Sequence, residues 1–89
     1  MNIFILDKDP IISAQLQCDK HVVKMILESA QMLSTAHRVL DGDEYANENS
    51  LYKIAHKNHP CSIWVRETLS NYQWLYNHFD ALGKEYTYR

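Results

Sequence analysis

KHVVKMILESAQMLSTAHRVL, residues 20–40, decides the fold. Val22, Ile26, Ala30, Leu33, Ala36 and Leu40 recur at spacings of three and four, which is the helical period. Val23, Met25 and Val39 widen that stripe. A helix this long with one apolar stripe must bury it against another long element. Asp41-Gly42-Asp43 follows, and Gly42 suits the left-handed position that closes a helix.

The partner lies towards the end of the chain. Asn58-His59-Pro60 stops one element and starts the next, because proline sits well in a first helical turn. From Pro60 to Lys84 the pattern predicts one long helix, its core face marked by Cys61, Val65, Leu69, Tyr72, Tyr76 and Phe79. Trp64, Leu75 and Leu82 broaden that face. Between the long helices, Glu44 to Asn49 reads as a polar loop and Ser50 to Lys57 as a short helix burying Leu51, Ile54 and Tyr52. Upstream, four apolar residues in a row (Ile3 to Leu6) predict an extended arm buried on both sides. Asp9 before Pro10 is an N-cap acceptor followed by a residue fixed at helical φ, so a short helix should run from Pro10 to about Gln17. Asp19 can cap the next.

The expected fold class is all-α: a small single domain over residues 1–89. It has two long antiparallel helices, shorter connecting helices and an extended N-terminal arm. Glu85-Tyr86-Thr87-Tyr88-Arg89 carries no Gly or Pro terminator. It reads equally as a fraying helix end or as a shortened form of a longer chain.

Composition narrows the function classes. With 9 Lys plus Arg against 11 Asp plus Glu, the formal charge of −2 excludes a histone-like polycation. Hydrophobic residues at 46% with only 2 Gly and 2 Pro exclude a disordered chain. No apolar run approaches the ~20 residues of a membrane span, and no secretory signal is present. An intracellular protein with no membrane association is expected, with Cys18 and Cys61 reduced. The acids crowd residues 1–50 (eight against four bases), whereas residues 51–89 hold five bases against three acids. A face for a polyanion would therefore sit in the second half.

Three constellations could carry chemistry. His21, Lys24, Glu28, Gln31, Thr35 and Arg38 share one helix face. Glu28 stands at the edge of the apolar stripe beside Ile26 and Leu27, and a carboxylate in such a place suits acid/base work because desolvation disfavours its charged form. A solvated face is the bland alternative. Cys18-x-x-His21 and His56-x-x-His59-x-Cys61 supply five possible zinc ligands, with Cys18, His21, His56 and His59 as the alternative set for a zinc-stabilised module. Otherwise no cofactor is expected. The aromatic set Trp64, Tyr72, Trp74, Tyr76, Phe79, Tyr86 and Tyr88, interleaved with Arg66 and Lys84, is what a nucleic-acid groove uses. Most of these rings must fill the core, leaving Trp74 and Asn71 as the expected exposed pair.

Gln17 to Glu28 resembles the helix start of the phage pyrimidine-dimer DNA glycosylases, where a His and a catalytic Glu lie seven residues apart after an extended N-terminus. His21 and Glu28 keep that separation. His59 to Tyr86 is similar in placement to that family's later aromatic helix. The chain also looks like small conserved phage proteins of unknown function. The resemblance implies a DNA glycosylase/AP lyase acting on double-stranded DNA. Its nucleophile would be the N-terminal α-amine of Met1, with Glu28 as acid/base and His21 assisting. Lys24, Arg66, Trp74 and Lys84 would contact the nucleic acid. Leu27 and Gln31 stand where that family's helix carries arginines, and Asn2 is bulky enough to keep Met1 in place. The other reading is a non-catalytic phage protein that binds a protein or nucleic-acid partner through the aromatic helix. A homodimer is compatible with either.

Overall fold

The structure is a computed structural model, and it describes residues 3–89. Among these, all regular structure is helical: α1 (Pro10–Gln15), α2 (Asp19–Leu40), α3 (Asp43–Glu48), α4 (Pro60–Glu67) and α5 (Leu69–Tyr88). The all-α expectation holds. α2 and α5 run antiparallel, because Val22 and Met25 share a core cluster with Ala81 and Leu82, while Met32, Leu33 and Ala36 share one with Leu75. Arg89 reaching Asp19 at 2.8 Å marks one end of the pair, and Tyr72 bonded to His37 at 2.6 Å marks the other.

The start of α1 is the capping arrangement its sequence predicts. The Asp9 carboxylate accepts from the backbone N–H groups of Ile11 (2.8 Å) and Ile12 (3.3 Å), with Pro10 in the first turn. For α2 the cap position falls on Cys18 rather than Asp19. The Asp19 carboxylate sits inside the first turn, where it complements the helix dipole and meets Arg89.

Several expectations are corrected. The short helix predicted over Ser50–Lys57 does not form, and the segment taken as a polar loop holds α3 instead. Ser50 and His56 both adopt positive φ (55° and 49°), which interrupts a helix at both ends. The backbone between them bonds to side chains of α2. The carbonyls of Leu51 (3.0 Å) and Tyr52 accept from Arg38, and Thr35 Oγ1 accepts from the N–H of Ala55 at 3.1 Å. Tyr52 and Ile54 are exposed as a result.

The helix predicted over Pro60–Lys84 is two. Thr68 is extended (φ −140°, ψ 155°), its hydroxyl accepts from the N–H of Asn71 at 3.0 Å, and Asn71 donates to the carbonyl of Trp64 at 2.8 Å. A Thr N-cap has thus restarted the helix at a new angle, and α5 continues past Lys84 to Tyr88. Leu69, expected in the core, is 80% exposed beside this break.

The apolar stripe of α2 is narrower than its sequence suggests. Leu40 and Val23 lie outside it, 64% and 58% exposed, and buried Ser29, Ser34 and Thr35 share its face. Small hydroxyls let α4 and the following segments approach closely. Gly42 has positive φ (90°) with extended ψ (165°), so it opens α3 rather than closing α2 in the left-handed form.

The arm is buried at one end only. Ile3 packs on the cluster of Met32, Leu33, Ala36, Val65 and Leu75, and Phe4 on that of Ala14, Val22, Met25, Ala81 and Leu82. Ile5 and Leu6 are exposed. Continuous apolar character did not signal two buried faces, because the arm lies on helices instead of inside a sheet.

Candidate active site

Glu28 sits in the middle of α2, half-buried, with its Oε2 atom enclosed. In sequence it lies between Met25, of the cluster on which Phe4 packs, and Met32, of the cluster on which Ile3 packs. His21 lies on the same face two turns earlier, about 10 Å along the axis. Its imidazole stacks on the ring of Phe4, with centroids 4.5 Å apart and planes at 13°. His21 therefore touches the arm. Met1, the sequence candidate for nucleophile, lies outside the described residues.

Three buried polar side chains hold the arm. The Ser13 hydroxyl accepts from the N–H of Leu6 and donates to the carbonyl of Phe4, both at 3.1 Å. Gln17 Nε2 donates to the same carbonyl at 2.9 Å. His78 on α5 bonds through Nδ1 to the carbonyl of Pro10 at 3.0 Å and meets Gln17 Nε2 at 3.4 Å through Nε2. These partners fix its tautomer: Nδ1 carries the proton and Nε2 accepts. Burial pulls the His78 pKa below the ordinary 6.5, opposed in part by the bond to Pro10. The Trp74 indole N–H donates to the carbonyl of Lys8 at 2.8 Å, and its ring stacks on His78 with centroids 4.9 Å apart.

Trp74 is thus committed to the arm, and both it and Asn71 are half-buried rather than the exposed pair that the sequence suggested. Of the cationic candidates, Lys24 is exposed one turn before Glu28. Lys84 is exposed and paired with Asp80 at 3.1 Å. Arg66 is half-buried on α4, and its Nη1 is enclosed without a hydrogen-bond partner among the described residues. It lines a cavity of about 300 Å³ with His37, Asp41, Thr68 and Tyr72. The cationic candidates do not converge into one patch.

The alternative zinc set is not brought together. Cys18 caps α2 and His59 caps α4, where its Nδ1 accepts from the N–H of Cys61 at 3.1 Å. His56 is exposed in the intervening segment. Among the described residues no group of three or more His, Cys, Asp or Glu side chains is placed to hold a metal ion. Both cysteines are free thiols.

Sequence reasoning missed a second polar assembly at the far end of α2. Asp41 Oδ2 lies 2.7 Å from His37 Nδ1, and His37 Nε2 lies 2.6 Å from the Tyr72 hydroxyl. Burial, with Tyr45, Tyr76 and Asp41 nearby, holds the Tyr72 phenol above its ordinary pKa of 10, so it remains a donor to His37. The i, i+4 spacing of His37 and Asp41 was a readable signal; the Tyr72 partner, 35 residues on, was not.

A half-buried glutamate in mid-helix, with the Phe4 ring stacked on His21 two turns earlier, makes this a small helical domain with a candidate acid/base site. The particular family follows from comparison, for the family model for pyrimidine dimer DNA glycosylase matches residues 1–89, and the chain belongs to that family. Neither the curated proteins nor the solved structures contain a match. Among the described residues, no helix is long and apolar enough to cross a membrane.

Proposed function

We propose that this protein is a DNA glycosylase/AP lyase that acts through the α-amine of Met1 with Glu28 as its acid/base. The observation that carries the reading is the match to the family over residues 1–89, together with Phe4 stacked on His21 two turns before Glu28.

The chemistry then runs in two stages. The amine, neutral in part because an α-amine titrates near ~8, attacks C1′ of a damaged nucleotide. The glycosidic bond breaks and its electron pair leaves with the base, which takes up a proton. The amine then loses a proton and its lone pair expels O4′, which takes up a proton as the C1′–O4′ bond breaks, leaving an iminium between protein and opened sugar. Removal of a C2′ proton then pushes electrons through C2′–C3′ and breaks the C3′–oxygen bond. Glu28 receives and returns these protons and holds the amine towards C1′. His21 assists by supporting Phe4. The target nucleotide must leave the duplex stack to reach this site. Double-stranded DNA is the proposed partner, with Lys24, Arg66 and Lys84 meeting phosphates. The net charge of −2 makes that grip weak and strongly salt-dependent.

Borohydride reduction in the presence of abasic-site duplex tests the reading. A covalent protein–DNA complex should form between pH 6 and 9 and be lost in Glu28→Gln. A folded wild-type protein that gives no adduct across that range would refute the enzyme and leave a non-catalytic binding role for the aromatic helix.

A further inference from the structure

We infer that Ser13, Gln17, His78 and Trp74 form a positioning network whose function is to aim the amino-terminal amine, by fastening the arm to α1 and α5. The inference rests on the proposed amine chemistry and adds the residues that would set it.

The network is directed at one target. Ser13, Gln17 and His78 are 0%, 3% and 1% exposed, and with Trp74 they supply four side chains aimed at the backbone of residues 4–10. The carbonyl of Phe4 accepts twice, from Ser13 and Gln17, and the carbonyls of Lys8 and Pro10 accept from Trp74 and His78. Buried polar groups are costly unless satisfied, and apolar residues would fill the same space at less cost. A core designed only for stability would not use them here.

The orientation of Gln17 supports the same conclusion. Its amide nitrogen faces two acceptors, the Phe4 carbonyl and His78 Nε2, while its Oε1 is buried without a partner among the described residues. Rotating the amide would set Oε1 against both acceptors and release the arm. The domain therefore leaves one oxygen unsatisfied to keep the grip on Phe4, two residues from the amide of Ile3 and next to the ring that stacks on His21. Phe4 is held by its carbonyl from one side and by its ring from the other. That fixes the backbone and ring orientation of Phe4. Orientation of this kind is what a nucleophile needs, since a misplacement of about 1 Å can cost about a hundredfold in rate.

The experiment uses the full chain and three mild variants: Ser13→Ala, Gln17→Met and Trp74→Phe. Each protein is methylated at its α-amine with isotopically labelled formaldehyde, and the methyl signal is read by NMR in native buffer and in urea. Trapping on abasic-site duplex is measured in parallel on unmethylated protein, as a rate at saturating DNA and as a dissociation constant. The wild-type methyl signal should differ from its value in urea, and in the variants it should move towards that value. Gln17→Met should slow trapping at saturating DNA by about tenfold, with the dissociation constant within about twofold. Methyl signals unmoved in folded variants overturn the inference whatever the activity. A wild type that does not trap, but whose methyl signal responds to the variants, overturns the amine chemistry and supports the network. If Gln17→Met does not fold, Ser13→Ala, which deletes two hydrogen bonds, and Trp74→Phe, which deletes one, decide the matter.

Discussion

Two irregular segments lie against the α2–α5 pair, and they are fastened in opposite ways. Residues 49–59 hang from side chains near them in sequence, Arg38 and Thr35 on α2, at separations of 13 to 20 residues. The arm hangs in part from Trp74 and His78 on α5, at separations of 66 and 68. The first attachment can form once α2 exists. The second needs α5 docked, because closing so long a loop costs entropy that only the finished core offsets. The local segment is built into the scaffold, while the arm is a late addition held at several points. That is a suitable place for a group that must be aimed.

Removing Arg38 should separate the two most sharply. Its side chain is 7% exposed and bonds to the carbonyls of Leu51 and Tyr52, to Asp43 at 3.1 Å and to Asn47 at 3.2 Å. Arg38→Met keeps the stem packing but strips four hydrogen bonds, of which the one to Leu51 is part-buried, and should cost about 2 kcal/mol in urea unfolding. At temperatures where the variant is still folded, hydrogen exchange should quicken at Ala55 while Leu6 stays protected. Equal loss of protection at both amides would show that the segments are not independent.

The converse change, His78→Phe, keeps the ring stack on Trp74 and removes both hydrogen bonds. It should cost about 2 kcal/mol, since it removes the side-chain partner of the Pro10 carbonyl and forces a larger ring into a site 1% exposed. Exchange should now quicken at Leu6 and not at Ala55.

These two anchors also show why the sequence was only partly readable. Periodicity found α2 and the Asp9–Pro10 pair marked the start of α1, because each signal lies within one or two helical turns. The break at Thr68 escaped because the apolar period runs straight through it. Thr, three residues before Asn71, looks like any other helical position until its hydroxyl is seen to cap. The segment after Ser50 escaped for a different reason. Leu51 and Ile54 have helical spacing, but Arg38 and Thr35 take their backbone groups and tertiary bonding overrides propensity. Gln17 and Trp74 entered the reading separately and His78 not at all, for nothing local indicates that three side chains so far apart converge on one segment.

A smaller effect follows from acid. Because burial lowers the His78 pKa in the folded state, the unfolded chain binds more protons below about 6.5, and stability must fall as pH falls. The contribution is complete above the ordinary histidine pKa and is lost as pH drops towards the lowered folded value. Protonated His78 would also turn Nε2 into a donor facing the Gln17 amide, loosening the arm end first. The difference in unfolding free energy between wild type and His78→Phe should therefore shrink between pH 7 and pH 5. A constant difference would mean that the imidazole does not titrate with unfolding.

The smallest stability effect should come from Lys84, which belongs to neither fastening. Its pair with Asp80 joins side chains 78% and 60% exposed, at the i, i+4 spacing worth only a few tenths of a kcal/mol. Lys84→Ala should change unfolding by less than about 0.5 kcal/mol and leave exchange at both Leu6 and Ala55 unaltered. Its signature should appear in DNA binding. If Lys84 meets a phosphate, losing it removes one released counterion, and the plot of log affinity against log salt should become shallower by about 0.9. A slope identical to wild type would remove Lys84 from the DNA face and shift the burden to Lys24 and Arg66. The same measurement on Arg66→Ala, read against its stability, then separates a phosphate contact from a guanidinium that only lines its cavity.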